Sequence, residues 1–311
     1  MAEDVSLIIP VYNRQDLIRR CLESIKNQVR LPKEIIVVDN ASSDMTPKVI
    51  EDWFEENKEL PINFKLISER KRGATFARQK GLENTSGKYV VFFDSDDEML
   101  PDLIHEAIEK FDSHPDAEIV CWRCKINLLD GRTVVPPFDC TKPLENHLIH
   151  TLLRPQGYMV KRELIINAGG WKKDLPVWND FETGFRILMT YPKIIAIEKV
   201  LALINAQADS ITGTDFSHKQ GQWEKSIDEV RKENNLKNHS DRQKVDKILD
   251  YRQVILAAHY SREGNKKGAR ELFTKTMQRA DKFNRILLLF AYHYTRFGGR
   301  GSWRIIRQFY L

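Results

Sequence analysis

Between residues 5 and 111, short apolar runs alternate strictly with amphipathic stretches, and nothing else in the 311-residue chain restricts its fold as much. Val5 to Pro10, Glu34 to Asp39, Phe64 to Ser68 and Lys88 to Asp94 have the length and β-branched content of buried strands. Helices are expected between them. Gln15 to Gln28 gathers Leu17, Ile18, Cys21, Leu22 and Ile25 on one face. Asp44 can cap a second helix that opens at Thr46-Pro47 and buries Val49, Ile50, Trp53 and Phe54. Ala74 to Asn84 forms a third helix, ended by Ser86-Gly87, and Pro101 to Phe111 a fourth. Such alternation implies right-handed crossovers and a parallel sheet covered on both faces, an α/β fold. After residue 115 it gives way to strand-like pieces and loops, and from Lys219 to Leu311 strand signals are missing. Tyr251 to Ala280 reads as two helices joined at Glu263-Gly264-Asn265. The expected organisation is therefore an α/β domain over residues 1–218 and a helical appendage over 219–311.

Hydrophobic residues at 41% and charged residues at 30% describe a folded globular chain and exclude a collagen-like or disordered one. The longest apolar run, Ile286 to Tyr292, falls far short of the ~20 residues that span a bilayer. The acidic start, Met1-Ala2-Glu3-Asp4, lacks the features of a signal peptide, so a cytoplasmic protein is expected. Cys121 and Cys124 form a CxxC, but on a strand residues three apart point to opposite faces, so all four cysteines are read as reduced and structural. Charge is uneven. From Lys275 to Leu311, eight basic residues oppose only Asp281 and are interleaved with Phe290, Tyr292, Tyr294, Phe297, Trp303, Phe309 and Tyr310. That tail suits an anionic membrane surface, with a solvated helix face as the plain alternative.

Ligands of open parallel sheets sit beyond the carboxyl ends of the strands, and there this sequence places mostly carboxylates. The first strand ends in Pro10-Val11-Tyr12-Asn13, the second in Asp39-Asn40-Ala41-Ser42-Ser43-Asp44, the fourth in Asp94-Ser95-Asp96-Asp97. Like charges brought so close raise one another's pKa unless a cation intervenes. Hard oxygen donors favour Mg²⁺ or Mn²⁺, which bind through one or two carboxylates plus substrate phosphates.

Four segments, VSLIIPVYNR at 5–14, EIIVVDNASSD at 34–44, RGATFARQKGL at 72–82 and VVFFDSDDEM at 90–99, together closely resemble the family 2 inverting glycosyltransferases and their GT-A fold, over roughly residues 4–206. The resemblance implies a hexosyltransferase-type enzyme in which Pro10, Tyr12, Asn13, Asp39, Arg78, Asp94 and Ser95 hold the nucleotide. Asp39 would accept from the imide N–H of uracil, which favours a UDP-sugar donor. Asp94 would face the ribose. Asp96 would anchor the metal, Mn²⁺ or Mg²⁺, that bridges the diphosphate, with Asp97 in support.

The family places its general base in an acidic motif beyond a Gly-Gly segment. Here Gly169-Gly170-Trp171 is followed by Trp178-Asn179-Asp180-Phe181-Glu182-Thr183-Gly184-Phe185-Arg186, with Asn179 in place of the usual first acid. Asp180 aligns with the base and Glu182 with the next acid, and the choice between them stays open. Ser210 and His218 fall where relatives have a mobile loop over the diphosphate, which makes His218 a candidate metal or phosphate ligand; a solvated loop histidine is the alternative. Gln156-Gly157-Tyr158 reads as a strand facing the acceptor. The processive-synthase signature QxxRW is missing, so one sugar per encounter is expected. The acceptor implied is a saccharide or lipid-linked saccharide of surface polysaccharide or glycolipid assembly, met at the inner face of the cytoplasmic membrane; nucleic acid is not expected as a partner. A glycine-rich phosphate loop is lacking, which excludes P-loop and dinucleotide chemistry. The non-enzymatic rival is a degenerate module that binds a nucleotide sugar without turnover.

Overall fold

Strands buried on both faces read as continuous hydrophobic runs, and Ile35 to Val38 is one: all four side chains are buried. The computed structural model describes residues 3–208, 215–236 and 240–310; Ser210 lies outside them. In chain order, β1 (Glu3–Val11), α1 (Ile18–Lys26), β2 (Pro32–Asp39), α2 (Thr46–Glu56), β3 (Asn63–Ser68), α3 (Ala74–Glu83) and β4 (Tyr89–Phe92) reproduce the expected alternation. Strands β3, β2, β1 and β4 lie side by side and parallel.

The sheet continues through pieces the alternation does not announce. After β5 (Glu98–Met99) and α4 (Leu103–Ser113) come β6 (Ile119–Asn127), β7 (Thr133–Val134), α5 (Pro143–His150), β8 (Tyr158–Lys161), α6 (Arg162–Asn167), α7 (Asn179–Leu188) and β9 (Ile194–Asn205). Strand β8 enters antiparallel between β4 and β6, and β9 runs parallel to β6. Gln156 does not lie on a strand. It sits in the short 3₁₀ turn Pro155–Gly157 just before β8.

Side-chain alternation on the central strands divides two cores. Val5, Leu7, Ile9 and Val11 pack with α1, α2 and α4, whereas Ile8, Val90 and Phe92 face the opposite side. Cys121 and Cys124 likewise fall in different cores, and burial raises both thiol pKa values, as expected of structural cysteines.

The helices after residue 219 are α8 (Gln222–Leu236), α9 (Arg242–Arg262), α10 (Lys266–Arg279), α11 (Lys282–Arg296) and α12 (Trp303–Tyr310). Trp223, Val230, Leu249 and Leu288 belong to the same hydrophobic cluster as Ile8 and Phe92, through α5 and α7. No break in the core separates the helices from the sheet among the described residues. Helix α3 presses on β1 without a spacer: a Cβ on Gly81 would meet Ile8 Cγ2 at 2.3 Å. Ile8 is fully buried in the centre of the sheet and cannot retreat. Alanine at 81 gains up to ~1 kcal/mol of helix propensity but overpacks by ~1–3 kcal/mol. Gly81→Ala is therefore expected to lower the thermal midpoint, and an unchanged or higher midpoint would show that α3 can lift off β1.

Candidate active site

The sheet edge expected to hold a ligand is built by loops that fasten one another. Val11 pairs with Asp39 at the ends of β1 and β2. Asn13, in the left-handed region at φ 48°, accepts from the Ser43 N–H at 2.8 Å, while its own N–H donates to Ser42 Oγ at 3.0 Å. Asp39, mostly buried, accepts from the Ser42 N–H. Asn40 carries the next loop: its Oδ1 takes the Gly73 N–H at 2.7 Å and its Nδ2 donates to the carbonyls of Glu69 and Lys71. Arg72 thereby stacks over the Tyr12 ring at 4.7 Å, and Tyr12 stays 38% exposed. Pro10 is buried within β1, paired with Val38.

Beyond β4 the three acids of the DSDD turn find different surroundings. Asp94 Oδ1 meets Arg78 Nη2 at 2.6 Å, and its other oxygen accepts from Gln156 Nε2 at 2.7 Å. Asp97, 2% exposed, accepts from the same Nε2 at 2.6 Å and from the Asn205 N–H at 2.8 Å. Burial, then the charges of Asp94 and Asp96, push its pKa well up. Ser95 is buried between them. Asp96 keeps 20% of its side chain exposed and has a 3.5 Å contact with Arg14 Nε. Burial and the charge of Asp94 raise its pKa as well.

This crowding suits a hard divalent cation, whose charge would relieve the repulsion the acids exert on one another. Among the described residues no three His, Cys, Asp or Glu side chains gather to hold a metal unaided. A metal here would have to rest on Asp96 together with ligands a substrate brings, a pattern common for Mg²⁺ and Mn²⁺. His218 stands apart. It is exposed in the turn Ser217–Lys219, its N–H donates to Asp215 Oδ1 at 3.0 Å, and no hydrogen bond or ion pair joins it to Asp96.

Opposite the acidic turn lies the amino end of α7. Trp178, at φ 46°, turns the chain into the helix, and Asn179 Oδ1 accepts from Arg78 Nη1 at 2.9 Å. Arg78, almost wholly buried and stacked on Trp171 at 4.9 Å, therefore ties Asp94 to α7 across one guanidinium. Asn179 is thus an acceptor fitted to Arg78. Asp180 follows, half-buried, accepting from the Phe181 N–H at 2.9 Å. Burial raises its pKa; the positive charges of Arg78 and Arg154 oppose the rise and the negative charge of Asp94 adds to it.

Glu182, paired with Asp180 in the sequence reading, lies elsewhere. It is fully buried, its two oxygens are taken by Arg186 Nε at 2.7 Å and Nη2 at 2.9 Å, and Lys172 Nζ approaches at 3.1 Å. Arg186 also donates to the carbonyls of Ala168 and Gly170 and so pins the turn in which Gly169 and Gly170 both have positive φ. Beneath α7, His147 Nε2 meets the Phe181 carbonyl at 2.8 Å while Nδ1 accepts from the Leu153 N–H at 3.1 Å. That pairing and burial, which moves its pKa to about 4, keep the ring neutral. The sequence reading missed Arg14, Asn40 and His147, and gave Gln156 a different place. A polar residue just after a strand was the one signal for Arg14 and Asn40, and nothing local marked His147 within α5.

Residues 6–160 match the family model described as Glycosyl transferase family 2. Over 117 residues, 38% of this chain, the sequence is 34% identical to the "Putative glycosyltransferase EpsH" of Bacillus subtilis, covering 33% of that protein. Over 106 residues, 34% of each chain, it is 35% identical to the "GalNAc(5)-diNAcBac-PP-undecaprenol beta-1,3-glucosyltransferase" of Campylobacter jejuni. These matches span about a third of the curated relatives' length. Among solved structures, S. aureus TarS 1-349 in complex with UDP-GlcNAc superposes with a TM-score of 0.70 at 19% identity, over 99% of this chain and 92% of that one. The mannosyltransferase PcManGT from Pyrobaculum calidifontis, in complex with GDP-Man and Mn²⁺, gives a TM-score of 0.57 at 20% identity, over 97% and 89%. At such identities the likeness establishes a shared fold, helical region included.

Proposed function

The chain belongs to glycosyl transferase family 2, and from that premise we propose that it is an inverting, metal-dependent hexosyltransferase that moves a sugar from a UDP-sugar to a hydroxyl of a saccharide or lipid-linked saccharide. One observation carries the reading: Arg78 joins Asp94, beside the outward-facing Asp96, to the helix end that bears Asp180. That link supports setting a diphosphate site and a base with a raised pKa about one reaction space.

In that space Tyr12 offers an aromatic face to the base and Asp39 an acceptor to its imide N–H, on a loop pinned by Asn13. Asp94 meets the ribose, with Ser95 in the same turn. Asp96 would hold Mn²⁺ or Mg²⁺, and a bound ion would supply stabilisation of the negative charge on the departing diphosphate. Asp180 accepts the proton of the acceptor hydroxyl as its oxygen bonds to the anomeric carbon on the side opposite the breaking bond to the diphosphate. Configuration inverts. The binding-only alternative rests on Asn179, which here serves as an acceptor for Arg78; it predicts no turnover by the wild type.

Asp96→Asn tests the assignment. Without its anchor, Mn²⁺-dependent tightening of UDP binding, read by calorimetry, should vanish and turnover should fall at least ~100-fold; a variant that still binds UDP in a Mn²⁺-dependent way would refute the role.

The acceptor environment is proposed to be the cytoplasmic face of a membrane. No helix among the described residues is long and apolar enough to cross a bilayer. Helix α11 does expose Phe283, Ile286, Leu289, Phe290 and Tyr294, with Phe297 just beyond it, flanked by exposed Lys282, Arg285, Arg296 and Arg300. That combination of apolar face and basic rim suits anionic headgroups. Stopping the chain before Lys275 would also remove Leu288 from the shared core, so the test keeps it whole. Wild type is expected to float with phosphatidylglycerol vesicles, and the double variant Arg296→Glu, Phe297→Ser to remain at the bottom of the gradient. Equal flotation would refute the surface.

A further inference from the structure

Beside the amino end of α7 the described residues line a half-open cavity of about 180 Å³. Its walls come from distant parts of the chain: Trp178 before α7, Phe216, Tyr251, Arg252 and His259 on α9, and Trp303 on α12. The aromatic rings brace one another, Trp178 against Phe216 at 6.4 Å and Phe216 against His259 at 4.6 Å. The Tyr251 hydroxyl and Ser302 Oγ, 2.9 Å apart, tie the start of α12 to α9. The space lies below the ~300–1,000 Å³ of ordinary small-molecule sites, so it accommodates one ring and not a nucleotide.

Two features define what the ring must carry. The cavity walls mix the rings of Trp178, Phe216, Tyr251 and Trp303 with the aliphatic Ile149, Ile255 and Leu256, an apolar lining that suits the C–H face of a pyranose. Arg252, stacked at 4.3 Å on Trp178 and 4.4 Å on Phe181, donates through Nη1 to the carbonyls of Leu148 and Ile149, and no carboxylate lies within ion-pair distance among the described residues. Burial lowers its pKa to about 10, so it remains charged at neutral pH. A largely buried cation with no carboxylate in direct contact is costly; the charge of Asp180 offsets part of that cost from a distance, and an anion on the ligand would offset more. Position adds the role. Trp178 stands two residues before Asp180, and the charge of Asp180 is felt at Arg252.

We propose that this cavity is the acceptor subsite and takes a single sugar ring bearing a carboxylate or phosphate, the ring stacked on Trp178 and Trp303 and the anion against Arg252. The assignment rests on the transferase reading, with Asp180 as the neighbouring base. Its test is binding to the full chain, by calorimetry, of methyl β-D-glucuronide, methyl β-D-glucoside 6-phosphate and neutral methyl β-D-glucoside. At least one anionic glycoside should bind tenfold or more tightly than the neutral one, and which of them does so identifies the anion. Arg252→Gln should erase that preference, and Trp303→Ala should weaken all binding at least tenfold, with UDP binding unchanged in both. Because Arg252 is packed beneath α7, Trp303→Ala carries the test if Arg252→Gln does not fold. Equal affinity for neutral and anionic rings, no binding of any of the three, or full affinity in Trp303→Ala would overturn the proposal. Failure of wild type to bind UDP would instead overturn the transferase reading, while the glycoside titrations still report on the cavity.

Discussion

Asp180→Asn is expected to reduce sugar transfer by roughly 10²–10⁴-fold, the range a positioned general base contributes, while the protein stays folded and binds UDP as before. The carboxamide oxygen can still accept the Phe181 N–H that the carboxylate holds at 2.9 Å, so the helix end keeps its shape and loses only its proton acceptor. As the proposed base, the same residue should set the acid limb of the pH profile. Burial and the charge of Asp94 raise its pKa, and only the unprotonated carboxylate can take a proton. Turnover should therefore decline, as pH falls, at a higher pH than an ordinary aspartate would dictate. Steady-state rates across pH in wild type and variant check both points; a variant that retains a tenth of wild-type turnover would remove Asp180 from the chemistry.

Glu182→Gln should do the reverse, with a large effect on stability and a small one on chemistry. Glu182 is the counter-ion of Arg186 in a fully buried pair, and leaving one partner uncompensated costs about 3–5 kcal/mol. Lys172 keeps Glu229 at 3.1 Å and Glu233 at 2.8 Å, so the loss falls on Arg186 and should sit near the lower end, about 3 kcal/mol. Since Arg186 also grips the Ala168 and Gly170 carbonyls, the Gly-Gly turn before α7 should loosen first. Denaturant unfolding should show a lower midpoint, and turnover per folded molecule should stay within a few-fold of wild type. A hundredfold loss of turnover at unchanged stability would exchange the roles of the two acids.

The contrast between these acids shows where sequence reading reaches its end. At about 100° per residue, positions 180 and 182 project some 200° apart on a helix, so they cannot serve one site from one face. Which of them faces the cleft depends on how α7 is rotated against the core, and that rotation is fixed by contacts far away in sequence, such as Phe181 and Phe185 in the shared cluster and His147 packed where Gly184 leaves room. The acidic edge of the sheet was more legible. Tyr12, Asp39, Asp94 and Asp96 follow apolar runs whose burial admits only one layered arrangement, and parallel strands deliver their carboxyl ends to a single edge. The partners of those residues were not legible, because Arg78 reaches Asn179 across 101 residues and Gln156 reaches Asp94 across 62. The same limit held for the cavity beside α7, whose walls meet only because α9 packs against α5 and α7 and α12 against α9 and α5.

Local periodicity therefore determined the α/β class and the parallel run of the first four strands, strand-end chemistry the edge that carries the acids, and the four short motifs the family they resemble. Tertiary structure alone decided which acid faces the cleft, which arginine joins the two halves of the site, and that the carboxy-terminal helices share the sheet's core. These depend on rotations and distances between elements, which sum many weak contacts over the whole chain and leave no mark at any one position of the sequence.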